Sequence, residues 1–194
     1  MHINFTFPED MCWALVGAAD EDGDVIDPML LSGWVANQVF GTDKATSMHG
    51  IRYVEKLSKE LYRYDYSNGP IGYLWYGEAV LPPVMLVFET APAQGGAAAT
   101  LDLLAGLDGS VPGAVRGTPL DVPAASDVVR SDRVLAPARK GLFGKTPEAH
   151  EIRWAMRAGA QDILLTLGPV PTELVGRVVA DAETLIRGLV VTPA

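Results

Sequence analysis

The chain reads as an α+β protein: a mainly antiparallel sheet of about six to eight strands with helices packed on its faces. Three observations predict it. Strand-length apolar runs, alternating or continuous, recur from Ile3 to Leu167 and are punctuated by Gly, Pro, Asn and Asp. Among them lie stretches with apolar residues at three- and four-residue steps, the clearest at the C-terminal end. No internal repeat, heptad array or linker divides the 194 residues, so a single domain over 1–194 is expected.

Ile3 to Phe7 alternates apolar and polar, as a half-buried strand should, and Pro8 stops it. Met11 to Ala18 is a second short strand, running into the acidic turn Asp20-Glu21-Asp22-Gly23-Asp24. Asp27-Pro28 then reads as a helix cap followed by proline at the first helical position. Leu30, Leu31, Trp34, Val35 and Val39 supply the apolar face, and Gly41 closes a helix over 28–40. Over 50–61 the stripe Ile51, Val54, Leu57, Leu61, backed by the Glu55–Lys59 pair, predicts a helix rather than a strand. The period then changes. Tyr62, Tyr64 and Tyr66 alternate with Arg63 and Asp65, Asn68-Gly69 offers a turn, and Ile71 to Tyr76 follows, so an aromatic hairpin is expected.

Val84 to Phe88 is continuously apolar and should be a central strand buried on both faces. Ala97 to Leu107 is helix-prone, with Asp108-Gly109 closing it. Proline and glycine crowd 112–123, leaving room for a short edge strand at Leu120 to Val122. Asp127 to Leu135 reads as a strand and 137–147 as a basic loop. Glu151 to Arg157 and Ile163 to Leu167 form a second hairpin around Gly159-Ala160. Leu174, Val175, Val178, Val179, Ala182, Leu185, Ile186 and Leu189 mark the terminal amphipathic helix.

A chain of this length buries about 70% of the surface its unfolded form exposes, so no metal or disulfide is needed to hold it. Apolar residues are 48% and charged residues 20% of the total, a globular composition. The net charge of −9 disfavours nucleic acid and anionic membrane as partners. The single cysteine, Cys12, excludes an internal disulfide and a multi-thiolate zinc site. No secretory signal and no run of membrane-spanning length is visible, which predicts a cytoplasmic protein. Ten arginines against five lysines, with abundant Ala, Gly and Val, suggest a bacterial source.

The chemical motifs fail on inspection. Gly141-Leu142-Phe143-Gly144-Lys145-Thr146 resembles part of a phosphate loop, yet Arg139 stands where its first glycine belongs, and Pro147 bars the helix that should follow. Counted from Asp20, an EF-hand loop would need glycine at Val25 and glutamate at Leu31. His2, His49 and His150 have no metal-ligand spacing, and no serine sits in a nucleophile elbow. Cys12 beside Trp13 reads as a small core residue. No catalytic residue, metal or cofactor is expected. The competing expectation is a hydrolase-like site assembled in space from His49 or His150 and a carboxylate. A small apolar ligand between sheet and helices is a third.

Two features remain. Tyr62, Tyr64, Tyr66, Tyr73, Trp75 and Tyr76 crowd one hairpin, either capping the core at its rim or forming a contact surface. Charge is also segregated. Eight acidic residues and no basic one precede Lys44, while seven basic residues and three acidic ones lie between Arg130 and Arg157. Either the two segments neutralise each other, or a bipolar surface steers a partner or favours self-association.

The hairpin Glu151-Ile152-Arg153-Trp154 … Ile163-Leu164-Leu165-Thr166-Leu167, the helix Thr172 to Arg187 after it and the opening Phe5-Thr6-Phe7-Pro8 resemble the PsbP-like α+β sandwich of bacterial proteins. That resemblance, over residues 84–190, implies an accessory or binding protein without catalytic residues and carries over no functional residue. The expectation is therefore a non-catalytic interaction protein, binding a protein partner or itself through the aromatic hairpin (Tyr62, Tyr64, Tyr66, Trp75) and the basic loop (Arg139, Lys140, Lys145).

Overall fold

The computed structural model describes residues 2–5, 11–16, 27–63, 71–136, 139–140, 144–145 and 148–192. In chain order the elements are β1 (His2–Phe5), β2 (Trp13–Val16), α1 (Pro28–Phe40), α2 (Thr42–Ala45), α3 (Met48–Leu61), β3 (Ile71–Trp75), β4 (Met85–Pro92) and α4 (Ala97–Leu104). There follow β5 (Val115–Arg116), β6 (Asp127–Leu135), β7 (Arg139–Lys140), β8 (Gly144–Lys145), β9 (Ala149–Ala158), β10 (Gln161–Pro171), α5 (Val175–Arg187, entered by a 3-10 turn at Thr172–Leu174) and β11 (Leu189–Thr192). Seven strands form an antiparallel sheet in the order β2-β3-β4-β10-β9-β6-β5, and β1–β11 and β7–β8 are two-stranded ladders. This is the expected α+β class. Contacts divide the chain into two compact units, residues 12–87 and residues 1–11 with 88–194.

In the unit 12–87, α1 starts where Asp27 Oδ1 accepts the Met29 N–H at 2.6 Å, with Pro28 at the first helical position. Gly41, at φ +77°, ends it over the predicted span. The single turn of α2 has no periodic signal in the sequence. Ser47 then caps α3 by accepting the Gly50 N–H at 3.3 Å. Gly50 lies so close to the Ala45 backbone that any Cβ there would overlap the Ala45 carbonyl. That closeness lets α3 turn tightly out of α2. Strands β2 and β3 pair antiparallel, Trp13 opposite Trp75 and Ala14 opposite Leu74. Ala14, Val16 and Leu74 share a core with Leu31 and Val35 of α1 and Leu57 and Leu61 of α3.

The expected strand through Tyr62 is corrected: Tyr62 ends α3, its N–H donating to the Ser58 carbonyl at 2.8 Å. Leu61 completes the buried stripe of that helix, so burial carries the helix up to the tyrosine, over a local alternation that would suit a strand. Tyr64 and Tyr66 lie outside the described residues, as do the acidic turn 20–24 and the strand ends at 6–7 and 17–18.

In the other unit the long β9–β10 hairpin is the spine, with Ala158 opposite Gln161 and Gly159 at φ +59° in the two-residue turn. β6 lies along the other side of β9, Arg130 opposite Trp154. Alternation gives this sheet two apolar faces. Ile152, Trp154, Met156, Ile163, Leu165 and Leu167 point one way and are fully buried. Val129, Ala155 and Leu164 point the other way, against Leu101 of α4 and Ala105 just after it. The buried stripe of α5 is Val178, Val179, Ala182, Leu185 and Ile186. The edge strand expected at Leu120 to Val122 stands instead at Val115–Arg116. Pro119 and Pro123 flank the expected segment and withhold ladder donors, so Leu120 and Val122 are buried from irregular backbone. The expected loop 137–147 contains the β7–β8 ladder, and the C-terminal residues form β11, pairing His2 with Thr192.

Asp162, second in β10, is 3% exposed. Its oxygens accept Arg157 Nε at 2.7 Å, Arg157 Nη2 at 2.9 Å and the Gln94 N–H at 3.3 Å. The Arg157 guanidinium holds the Asp162 carboxyl below the usual carboxylate range, against the opposing pull of burial. Because the folded value is lower than the unfolded one, this pair stabilises the protein above the ordinary Asp range and the contribution is lost as pH falls through the folded value. Replacing Asp162 by Asn should cost about 2–4 kcal/mol in denaturant unfolding near neutral pH, and the deficit should shrink in acid. Gly50→Ala should cost about 1–3 kcal/mol by forcing α2 from α3, read as a lowered melting temperature.

Candidate interaction site

Helix α1 carries no charged residue over its length. Pro28, Leu31, Ser32, Val35 and Ala36 are buried, and Ser32 Oγ donates to the Pro28 carbonyl at 2.6 Å. The solvent side presents Met29, Leu30 and Trp34, of which Leu30 is 71% and Trp34 44% exposed. Leu30 and Trp34 are four residues apart and so are neighbours on the helix surface. Gly33 leaves open space beside them. The Trp34 ring is held edge-on by Tyr76 at 5.1 Å, which fixes its orientation. At the start of α1, Tyr62 Oη donates to Asp27 Oδ1 at 3.2 Å, and its ring is more than half exposed. Partial desolvation, that hydrogen bond and the Asp27 charge raise the Tyr62 phenol above its ordinary value.

Of the aromatic residues singled out from the sequence, Tyr62 is therefore exposed, beside the cap of α1. Trp75 is 2% exposed, opposite Trp13 in the β2–β3 ladder, and is core. Burial pushes the Tyr73 phenol up to about 12. The exposed aromatic surface thus includes Trp34, which the sequence pattern had placed on an apolar helical face. One signal could have found it: α1 has apolar residues on more than one side and no charge to give it a solvent face.

Arg139, Lys140 and Lys145 lie in the β7–β8 ladder, Arg139 opposite Lys145, within the connection from β6 to β9. Among the described residues the element after β8 is strand β9 and not the helix that a phosphate loop requires. The arginines of β6 and β9 are paired inside their own unit. Arg130 meets Asp132 at 2.9 Å and Glu183 at 2.7 Å, Arg133 meets Glu151 at 2.9 Å, Arg153 meets Glu151 at 3.0 Å, and Arg157 meets Asp162. Arg130 also lies over the Trp154 ring, 5.7 Å from its centroid.

His49 stands edge-on to Phe40 at 5.4 Å, and the buried Nε2 of His150 has no partner among the described residues. Among those residues, no cluster of His, Cys, Asp or Glu could hold a metal ion, and no helix is long and apolar enough to cross a membrane. Cys12 is half-buried, its carbonyl accepting the Tyr76 N–H at 2.9 Å.

These features define an α+β protein whose described surface offers contact groups. No family model matches the chain, and no curated protein matches it in sequence. Among solved structures, the chain is similar to LpqN, involved in cell envelope biogenesis of Mycobacterium tuberculosis. The TM-score is 0.52 at 12% identity, over 98% of this chain and 83% of LpqN. At that identity the likeness is one of fold.

Asp27→Asn keeps a capping side chain but removes the charge next to Tyr62, so the Tyr62 phenol should titrate lower than in the wild type. Carbon NMR of ring-labelled tyrosine reads the shift directly.

Proposed function

We propose that this is a non-catalytic accessory protein that binds a protein partner through the uncharged face of α1. The observation that carries the reading is the run Pro28–Phe40 without a charge, with Met29, Leu30 and Trp34 turned to solvent. Single exposed apolar residues are ordinary, but several on one helix face with no charge among them are the composition of an interface centre. Trp34, oriented by Tyr76, is the anchor, since a pre-positioned indole loses little freedom on docking. Tyr62 contributes a phenol at the same helix end. The setting proposed is bacterial envelope biogenesis, the process in which the LpqN of similar fold is involved. The accessory character implied by the PsbP-like resemblance supports the same reading.

The test is a photo-crosslinking residue at position 30 in the producing cell. One discrete protein adduct is expected, and Trp34→Glu should abolish it while shifting the melting temperature by no more than about 3 °C, as for a surface change. Absence of an adduct, or an adduct indifferent to Trp34→Glu, overturns the reading.

A further inference from the structure

The face of the β6–β9–β10 ladder that meets α4 also carries an unbalanced group of charges. Glu151 divides its carboxylate between two arginines: Oε2 accepts Arg133 Nη2 at 2.9 Å and Oε1 accepts Arg153 Nε at 3.0 Å. Arg133 stands directly opposite Glu151 across the β6–β9 pair, and Thr166 directly opposite Arg153 across the β9–β10 pair. Directly opposed residues share a face, so a hydroxyl joins the two guanidinium groups there. Two cations share one anion, leaving a net positive charge in a protein of net charge −9.

The bonding is also incomplete. Arg133 Nε is out of contact with water and has no acceptor, though Nη2 on the same edge of the guanidinium is bonded. A buried N–H left without a partner is costly, and a fork that could hold a carboxylate by two bonds holds it by one. The reason lies in Glu151, which is drawn toward Arg153 as well. Meanwhile the Arg133 and Arg153 side chains remain 25% and 22% exposed, enough for a small group to reach them. Beyond Arg133 the chain enters β7 only four residues after β6 ends, bringing the backbone of Arg139, Lys140 and Lys145 to the same end of the hairpin.

We propose that Arg153, with Thr166 beside it, is a docking point for one oxyanion group, a carboxylate or phosphate, and that Glu151 holds its place until the anion arrives. When the anion takes the Nε edge of Arg153, Glu151 swings wholly onto Arg133 and completes the bidentate pair, giving the orphaned Nε its acceptor. The added negative charge is offset by the surplus cation already present. No bond is made or broken covalently, and no proton is transferred. The site lies in a different unit from α1 and is independent of the partner contact proposed there.

The experiment follows the arginine Nε–Hε NMR signals of the intact chain during titration with inorganic phosphate, with succinate and with a hexaglutamate peptide. The expected result is a saturable shift of both the Arg153 and Arg133 signals with at least one of these. A response to phosphate or succinate assigns a free small anion, and a response to the peptide alone assigns carboxylates carried on a polypeptide. Arg153→Gln should weaken binding at least tenfold, and Arg153→Lys several-fold, because lysine keeps the charge but lacks the fork. Glu151→Gln should tighten binding several-fold by removing the competing carboxylate, and Arg187→Gln on α5 should leave it unchanged. All three probes leaving the signals in place, Arg153→Lys binding as the wild type does, or Glu151→Gln weakening the affinity would each overturn the proposal.

Discussion

Asp162 sits where a carboxylate costs most, at the start of β10 and nearly out of contact with water. It is tolerable there because Arg157, across the turn on β9, donates two bonds to it and the Gln94 N–H a third. Arg157 in turn donates to the carbonyls of Gln94 and Gly95, just ahead of α4. One ion pair therefore ties together the hairpin turn, the end of β4 and the entry to α4. It also enforces register. A one-residue slip of β10 would turn Asp162 onto the face of Ile163 and Leu165 and send those side chains to the other, so the charge and the apolar pattern select the same pairing.

The same logic runs along the rest of the hairpin. Arg130 bridges β6 to Glu183 of α5 across the margin of Trp154, and Arg133 and Arg153 meet Glu151. The four arginines of β6 and β9 in the basic segment are thus engaged in holding strands and a helix in place. Two places proposed for recognition stand out among the described residues: the pair of arginines sharing Glu151, and the uncharged side of α1. Both are defined by an imbalance, a surplus of positive charge in one and a lack of any charge in the other.

Elements whose signal is local were legible. The cap Asp27-Pro28 and the stop at Gly41 bound α1 where expected, and the Gly159-Ala160 turn and the stripe of α5 from Val178 to Ile186 follow steric and periodic rules, whereas Leu189, expected to continue that stripe, pairs with Phe5 in the β1–β11 ladder. Sequence pattern and structure differ where two local signals compete or where the deciding contact is distant. Alternation at Tyr62 suits a strand, yet Leu61 completes the helical stripe and its burial decides for the helix. β5 forms at Val115–Arg116 rather than at Leu120 because Pro119 and Pro123 withhold ladder donors around Leu120, and β11 pairs with β1 across almost the whole chain. Of the candidate contact residues, Tyr62 is exposed and Trp75 is core. Strand period cannot tell these fates apart, since it gives the face and not what covers it.

The residue order by itself determined the α+β class, the approximate strand number, the spans of the strongly periodic helices and the failure of every nucleotide, metal and nucleophile motif. Those depend on period, caps and spacing, which act over a few residues. Only the tertiary structure decided which charges meet and which apolar side chains stay wet. Arg153 and Arg133 came to share Glu151 through the pairing of β6 with β9, and Leu30 and Trp34 were left outside because Leu31 and Val35 took the core. Such outcomes rest on contacts between residues far apart in the chain, where burial and charge pairing are settled jointly and not one residue at a time.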